Sequence, residues 1–89
     1  MKHRYLEVTF RRGTPLAAYL YLPSKAGAKA ARTVDAGNGM RVDYDDDGTA
    51  IGVEITAPTV THLEQINLVV TGLGQAPLLA EEWAPARAA

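Results

Sequence analysis

Cysteine is absent from this 89-residue chain, which excludes disulfide frameworks, thiolate zinc sites and cysteine nucleophiles together. Serine occurs once, at Ser24 beside Pro23, and histidine only at His3 and His62, so no nucleophile has an obvious base. A histidine metal site would need two or three ligands, and His62, in a helical first turn, reads instead as a solvated side chain. No apolar run is long enough to cross a bilayer, and the start "MKHRYLEVTF" lacks the uninterrupted apolar stretch of a secretory signal. A cytoplasmic protein without membrane attachment is therefore expected. The pairs Gly37/Gly39 and Gly72/Gly74 do not stand between a strand and a following helix, so phosphate-loop readings fail and no cofactor is expected.

What is present suits one small core. Hydrophobic residues make up 47% of the chain and charged residues 21%, the balance of a folded globular domain rather than a disordered one. Residues 1–42 carry a net charge of +6 and residues 43–89 one of −7, which leaves −1 overall. The basic residues are scattered and not interleaved with aromatics, so nucleic acid is not an expected partner. Pairing of basic strands with acidic ones would largely cancel the asymmetry.

Period-two alternation runs through the first part of the chain. Leu6, Val8 and Phe10 alternate with Tyr5, Glu7 and Thr9, and "RRGTP" supplies a turn. In "LAAYLYL", Leu16, Ala18, Leu20 and Leu22 face one way and Ala17, Tyr19 and Tyr21 the other, as in a central strand. "SKAGAKAA" reads as a loop because Gly27 interrupts it. Three further strands follow, separated by "AGNG" and "DDDG".

The stretch "DYDDDGTAIGVE" satisfies the twelve-residue calcium-loop pattern, with Asp43, Asp45, Asp47, Gly48 and Glu54 in the ligand positions. Its context argues against calcium. An entering helix conflicts with Gly37, Gly39 and the alternation of Met40, Val42 and Tyr44, and an exit helix meets Pro58 after the β-branched Ile51, Val53 and Ile55. A hairpin is expected, with no metal site.

After Pro58, Thr61 stands three residues before Glu64 as a capping box, and Leu63, Ile66, Val69, Val70 and Leu73 share one face of a helix. Leu68 points elsewhere, toward the tail with Leu78, Leu79 and Trp83 or toward another subunit.

Residues 30–56, "AARTVDAGNGMRVDYDDDGTAIGVEIT", carry a resemblance. Val42, Tyr44, Asp45, Gly48, Gly52, Val53, Glu54 and Ile55 match the pattern V-x-Y-D-x-x-G-x-x-x-G-I-E-I, and "AYLYL" at Ala18 to Leu22 is similar to an upstream strand A-L-Y-I-x-L. In these features the chain resembles the bacterial family called domain of unknown function 2283. The resemblance implies a small α+β domain of unassigned function, of a kind sometimes suspected of regulatory or antitoxin-like roles, and transfers no catalytic residue.

The reading is an α+β domain over residues 1–75: an antiparallel β-meander of four to five strands with one C-terminal helix packed on one face, then a tail or short helix over residues 76–89. The expected function is a non-catalytic protein-binding or regulatory module, a homodimer that presents an interface around Leu68, Leu78, Leu79 and Trp83 and engages a protein partner. The alternative is a small-ligand-binding or enzymatic domain using Tyr19, Tyr21 and Glu54 in a pocket between sheet and helix.

Overall fold

A computed structural model describes residues 3–87. Five strands and two helices follow in the order β1 (Tyr5–Arg11), β2 (Thr14–Tyr21), β3 (Arg32–Gly37), β4 (Met40–Tyr44), β5 (Ala50–Ile55), α1 (Leu63–Gly72) and α2 (Ala80–Arg87). The class is α+β. All neighbouring strands are antiparallel, in the spatial order β1-β2-β5-β4-β3. One continuous meander is therefore replaced by a hairpin set against a three-stranded meander. Residues 22–31 carry the chain past the ends of β5 and β4 to the far edge, so that β2 lies beside β5 and β3 is left as an edge strand.

The register makes the two faces of the sheet chemically different. Leu20 lies opposite Val53, Val53 opposite Val42 and Val42 opposite Val34, forming an apolar row; Ala18, Ile55 and Met40 form the next. With Leu22 these residues join Ile66 and Val70 of α1, and Leu78, Trp83 and Ala86, in one buried cluster. The last segment thus contributes three side chains to the core and is not an appendage to a domain ending at residue 75. Burying side chains of this size is worth about 1.5–3 kcal/mol each, which an 89-residue chain with no disulfide needs.

Two local details depart from the expected pattern. The β1–β2 ladder slips, with Thr9 opposite Ala17 but Phe10 opposite Pro15, so Leu16 is the extra residue of a bulge and lies exposed while Pro15 takes the buried place. The helix begins one residue later than the Thr61 capping box requires. His62 is the N-cap, its N–H donating to Gln65 Oε1 at 2.9 Å, while the Thr61 hydroxyl donates to the Ala57 carbonyl instead. Leu68, 74% exposed, faces away from the core cluster as its position on the helical wheel required.

The tail is held by two side chains. Asn67 behaves as a surrogate strand, its Nδ2 donating to the Leu78 carbonyl at 3.2 Å and its Oδ1 accepting the Leu78 N–H at 2.7 Å. Arg4 donates to both carboxylate oxygens of Glu82 at 3.0 Å, to the Pro77 carbonyl at 2.9 Å, and to the Ala76 carbonyl. Glu82 also accepts the Leu79 N–H at the start of α2. The bonds from Arg4 and Leu79 hold its carboxyl below the usual glutamate value.

Candidate functional site

The acidic turn is closed by hydrogen bonds from its own backbone to Asp45. Asp45, 5% exposed, accepts the N–H groups of Asp47 and Thr49 on Oδ1, both at 2.9 Å, while its carbonyl accepts the Gly48 N–H. Gly48 takes a φ of +81°, which a β-carbon disfavours, so "DDDG" is the hairpin turn that its flanking strands demanded. Asp45, Asp46 and Asp47 bring carboxylate oxygens close together. The cation beside them is Lys25, 2.6 Å from Asp47 and 3.7 Å from Asp46. That pairing raises the lysine above its usual pKa, the hydrogen bond to Asp47 being the main cause.

The principal arrangement of polar and aromatic groups lies on the sheet face away from the apolar rows. There the register aligns Tyr5, Tyr21, Gly52, Asp43 and Thr33 in one row, and Glu7, Tyr19, Glu54, Arg41 and Asp35 in the next. Tyr5 stacks on Tyr21 with centroids 4.6 Å apart and planes inclined by 17°, and Tyr19 meets Tyr21 edge-on at 4.7 Å. Such pairs are worth about 0.5–1.5 kcal/mol beyond the area they bury.

Asp43 is the polar centre of this face. The Tyr19 hydroxyl donates to Oδ2 at 2.7 Å and the Thr33 hydroxyl to Oδ1 at 2.6 Å, so one carboxylate joins β2, β4 and β3 across β5. Burial, then the bond to Asp43, raises the Tyr19 phenol far above its usual pKa. Burial, then the bond to Glu7, raises Tyr21. Arg41 and Glu54 sit opposite one another at 3.8 Å. Every ion pair among the described residues joins the basic first half to the acidic second half, which is how the sequence asymmetry cancels.

Of the residues expected to hold a ligand, Tyr19 and Tyr21 line one hollow of about 570 Å³, and Glu54 stands beside Tyr19 in the register but does not line it. The hollow lies between the open face and the 22–31 loop, with Glu7, Lys25 and Ala28 on its walls; the expected location between sheet and helix is wrong. Alternation is the physical reason. Leu20 enters the core, so its neighbours Tyr19 and Tyr21 must leave by the other face.

The expected interface residues separate in the same way. Leu68 and Leu79 are exposed, whereas Leu78 and Trp83 are buried in the chain's own core and leave little surface for a partner. Sequence reading missed Asp43 as a bridging group, Thr33, Arg4 and Asn67. The isolated Gly52 inside a β-branched strand was the one available signal, since such a glycine marks a close approach.

The geometry defines an α+β domain with an open, tyrosine-bearing sheet face. No family model matches the chain, and no curated protein or solved structure matches it either. No helix among the described residues is long and apolar enough to cross a membrane.

Proposed function

We propose that this protein is a non-catalytic protein-binding module of regulatory, antitoxin-like type, and that its open sheet face receives a basic segment of a partner. The observation that carries the reading is the composition of that face. Three tyrosine rings, Tyr21 touching both Tyr5 and Tyr19, share it with Glu7, Asp35, Asp43 and Glu54, against the single guanidinium of Arg41 in the same two rows. Aromatic rings with carboxylates around them attract ammonium and guanidinium groups through the ring quadrupole and by charge. The polar groups of the face bond one another instead of placing a base against a nucleophile, which favours recognition over reaction. The likeness of residues 18–55 to domain of unknown function 2283 accords with this reading and adds no catalytic residue.

Self-association belongs to the same proposal. β3 is an edge strand, and Val34 extends the apolar row while remaining 40% exposed, so a second copy added at this edge would cover it. The 570 Å³ hollow lined by Tyr19 and Tyr21 supports a second reading, a small cationic ligand held on the same face.

Titration of the ¹⁵N-labelled chain with a Lys/Arg-rich peptide, followed by NMR, tests the first reading. Saturable shifts should centre on Tyr5, Glu7 and Tyr21, weaken with salt, and disappear in the Tyr5→Ser/Tyr21→Ser double variant. Equal binding of a Glu-rich peptide, or none of either, would reject it.

A further inference from the structure

The hollow between the open face and the 22–31 loop owes part of its shape to an irregularity in β5. Asp43 lies opposite Gly52 and Tyr44 opposite Ala50, so Ile51 is the extra residue of a bulge. Strict alternation would send Ile51 into the core with Val53 and Ile55. Instead Ala50 packs against the core cluster, and Ile51 lines the hollow beside Tyr19 and Tyr21. The Ile51 carbonyl accepts the Leu22 N–H at 3.0 Å, which fixes the bulge to the start of the loop. A turn closed by the Ala28 N–H on the Lys25 carbonyl, at 3.2 Å, brings Ala28 to the wall.

The charges around this space leave one anion uncompensated. Lys25 is committed to the acidic turn, 2.6 Å from Asp47 and 3.7 Å from Asp46. Glu7 has no ion-pair partner among the described residues. Its Oε1 accepts the Tyr21 hydroxyl at 3.2 Å, and both residues line the hollow. The space therefore offers one carboxylate, two phenol rings and the aliphatic surface of Ile51, Ala28 and Ala30. That set matches a cation carried on an apolar stem. Because one oxygen of Glu7 is already engaged by Tyr21, the two-oxygen fork that a guanidinium prefers is not on offer, whereas a compact ammonium needs a single oxygen and the face of a ring.

We propose that this hollow receives a lysine side chain from the partner's basic segment, an inference that rests on the reading of the open face as the site of such a segment. The aliphatic stem lies against Ile51 and Ala28, and the ammonium meets Glu7 beside the Tyr21 ring. Lysine is thereby selected over arginine at one position of the segment.

Two otherwise identical peptides, one Lys-rich and one Arg-rich, are titrated into the ¹⁵N-labelled full chain, with n-butylammonium as the free-amine probe. The Lys-rich peptide should shift the Ile51 and Ala28 amides saturably and bind about threefold or more tighter than the Arg-rich one. Glu7→Gln should weaken it about fivefold, since the amide keeps an acceptor for Tyr21 and loses the charge. Ala28→Leu, which fills the hollow and leaves every charge in place, should remove the preference for lysine. Neither Glu7 nor Ala28 belongs to the core cluster, so both variants keep the fold. Equal or tighter binding of the Arg-rich peptide, or an Ala28→Leu variant that still prefers lysine, would overturn this inference while the basic-segment reading stands. n-Butylammonium binding as tightly as the Lys-rich peptide would overturn the peptide as the source of the ammonium. Binding of neither peptide would reject both readings together.

Discussion

Tyr19 lies across Gly52 so closely that a β-carbon on Gly52 would stand 2.0 Å from the tyrosine hydroxyl oxygen and 2.3 Å from the ring carbon that bears it. The absence of a side chain at Gly52 is what lets the phenol pass over β5 from β2 and reach Asp43 on β4. Gly52→Ala should therefore cost about 1–3 kcal/mol, the range for overpacking a filled site. In a Tyr19→Ala background the same change should cost about 0.5 kcal/mol or less, and denaturant unfolding of the four-member cycle measures the coupling. Equal costs in both backgrounds would show that the ring is not the obstacle.

Because the folded state holds the Tyr19 phenol neutral, its contribution to stability is complete below the ordinary tyrosine pKa of 10.0 and is lost as pH rises through the higher folded value. Near-ultraviolet absorbance should show Tyr19 ionising only in strong alkali, and Asp43→Asn should bring that ionisation to lower pH. An unchanged profile in Asp43→Asn would remove the carboxylate from the account.

The Asp45 carboxylate closes its turn through two amides, so Asp45→Ala should destabilise the fold by about 1–3 kcal/mol, the cost of unpaired buried groups. Gly48→Val should cost about 1 kcal/mol or more, because valine resists the positive φ, while Thr49→Val should be far milder. Calcium should leave the unfolding midpoint of the parent chain unchanged. A micromolar calcium response lost in Asp45→Ala would instead restore the metal-loop reading.

Arg4 and Glu82 make the tail sensitive to acid. The folded Glu82 carboxyl titrates below its ordinary value of 4.5, so its contribution is full above that pH and disappears as pH falls through the lower folded value. Glu82 remains partly solvated, and Arg4→Ala should cost about 1–2 kcal/mol, most of it from the carbonyls and carboxylate left unpaired. Trp83 fluorescence should report tail release in acid, and Glu82→Gln should flatten that acid response. A variant as acid-sensitive as the parent would place the transition elsewhere.

Leu68 and Ile66 are two residues apart on α1, yet Ile66 is fully buried and Leu68 mostly exposed. Leu68→Asp should therefore alter monomer stability by about 0.5–1 kcal/mol at most, whereas Ile66→Ala should cost about 2–5 kcal/mol. Light scattering on Leu68→Asp and Val34→Lys should distinguish a helix-face dimer from one joined at the β3 edge, and the edge-joined form predicts loss only with Val34→Lys. Since the opposite charges already pair within the chain, mass should depend little on salt. A monomer at every concentration would remove self-association from the proposed function.

Much of the fold could be read from local pattern. Alternation at Met40, Val42 and Tyr44 and at Val53 and Ile55 identified the strands, "AGNG" and "DDDG" the turns, and Ile66 and Val70 the buried face of α1. The open face was legible only in part. That Tyr19 and Tyr21 shared a face followed from period two, but that the face looked away from the helices did not, because both sides of β2 are apolar enough to be covered. The Leu16 bulge was invisible for a related reason, since a one-residue slip leaves composition unchanged and shows only in the pairing.

The sequence by itself determined which segments are strands and helices and where they turn, the "DDDG" hairpin among them, because those outcomes depend on φ/ψ preferences and on residues within a few positions of one another. Only the tertiary structure decided that β2 pairs with β5, that Asp43 gathers Tyr19 and Thr33, that Arg4 clasps Glu82, and that Trp83 joins the core beside α1. These contacts join residues far apart in the chain. Which long-range partners meet is set by how one small core can bury Leu20, Val53, Ile66 and Trp83 together, and no local spacing encodes that packing.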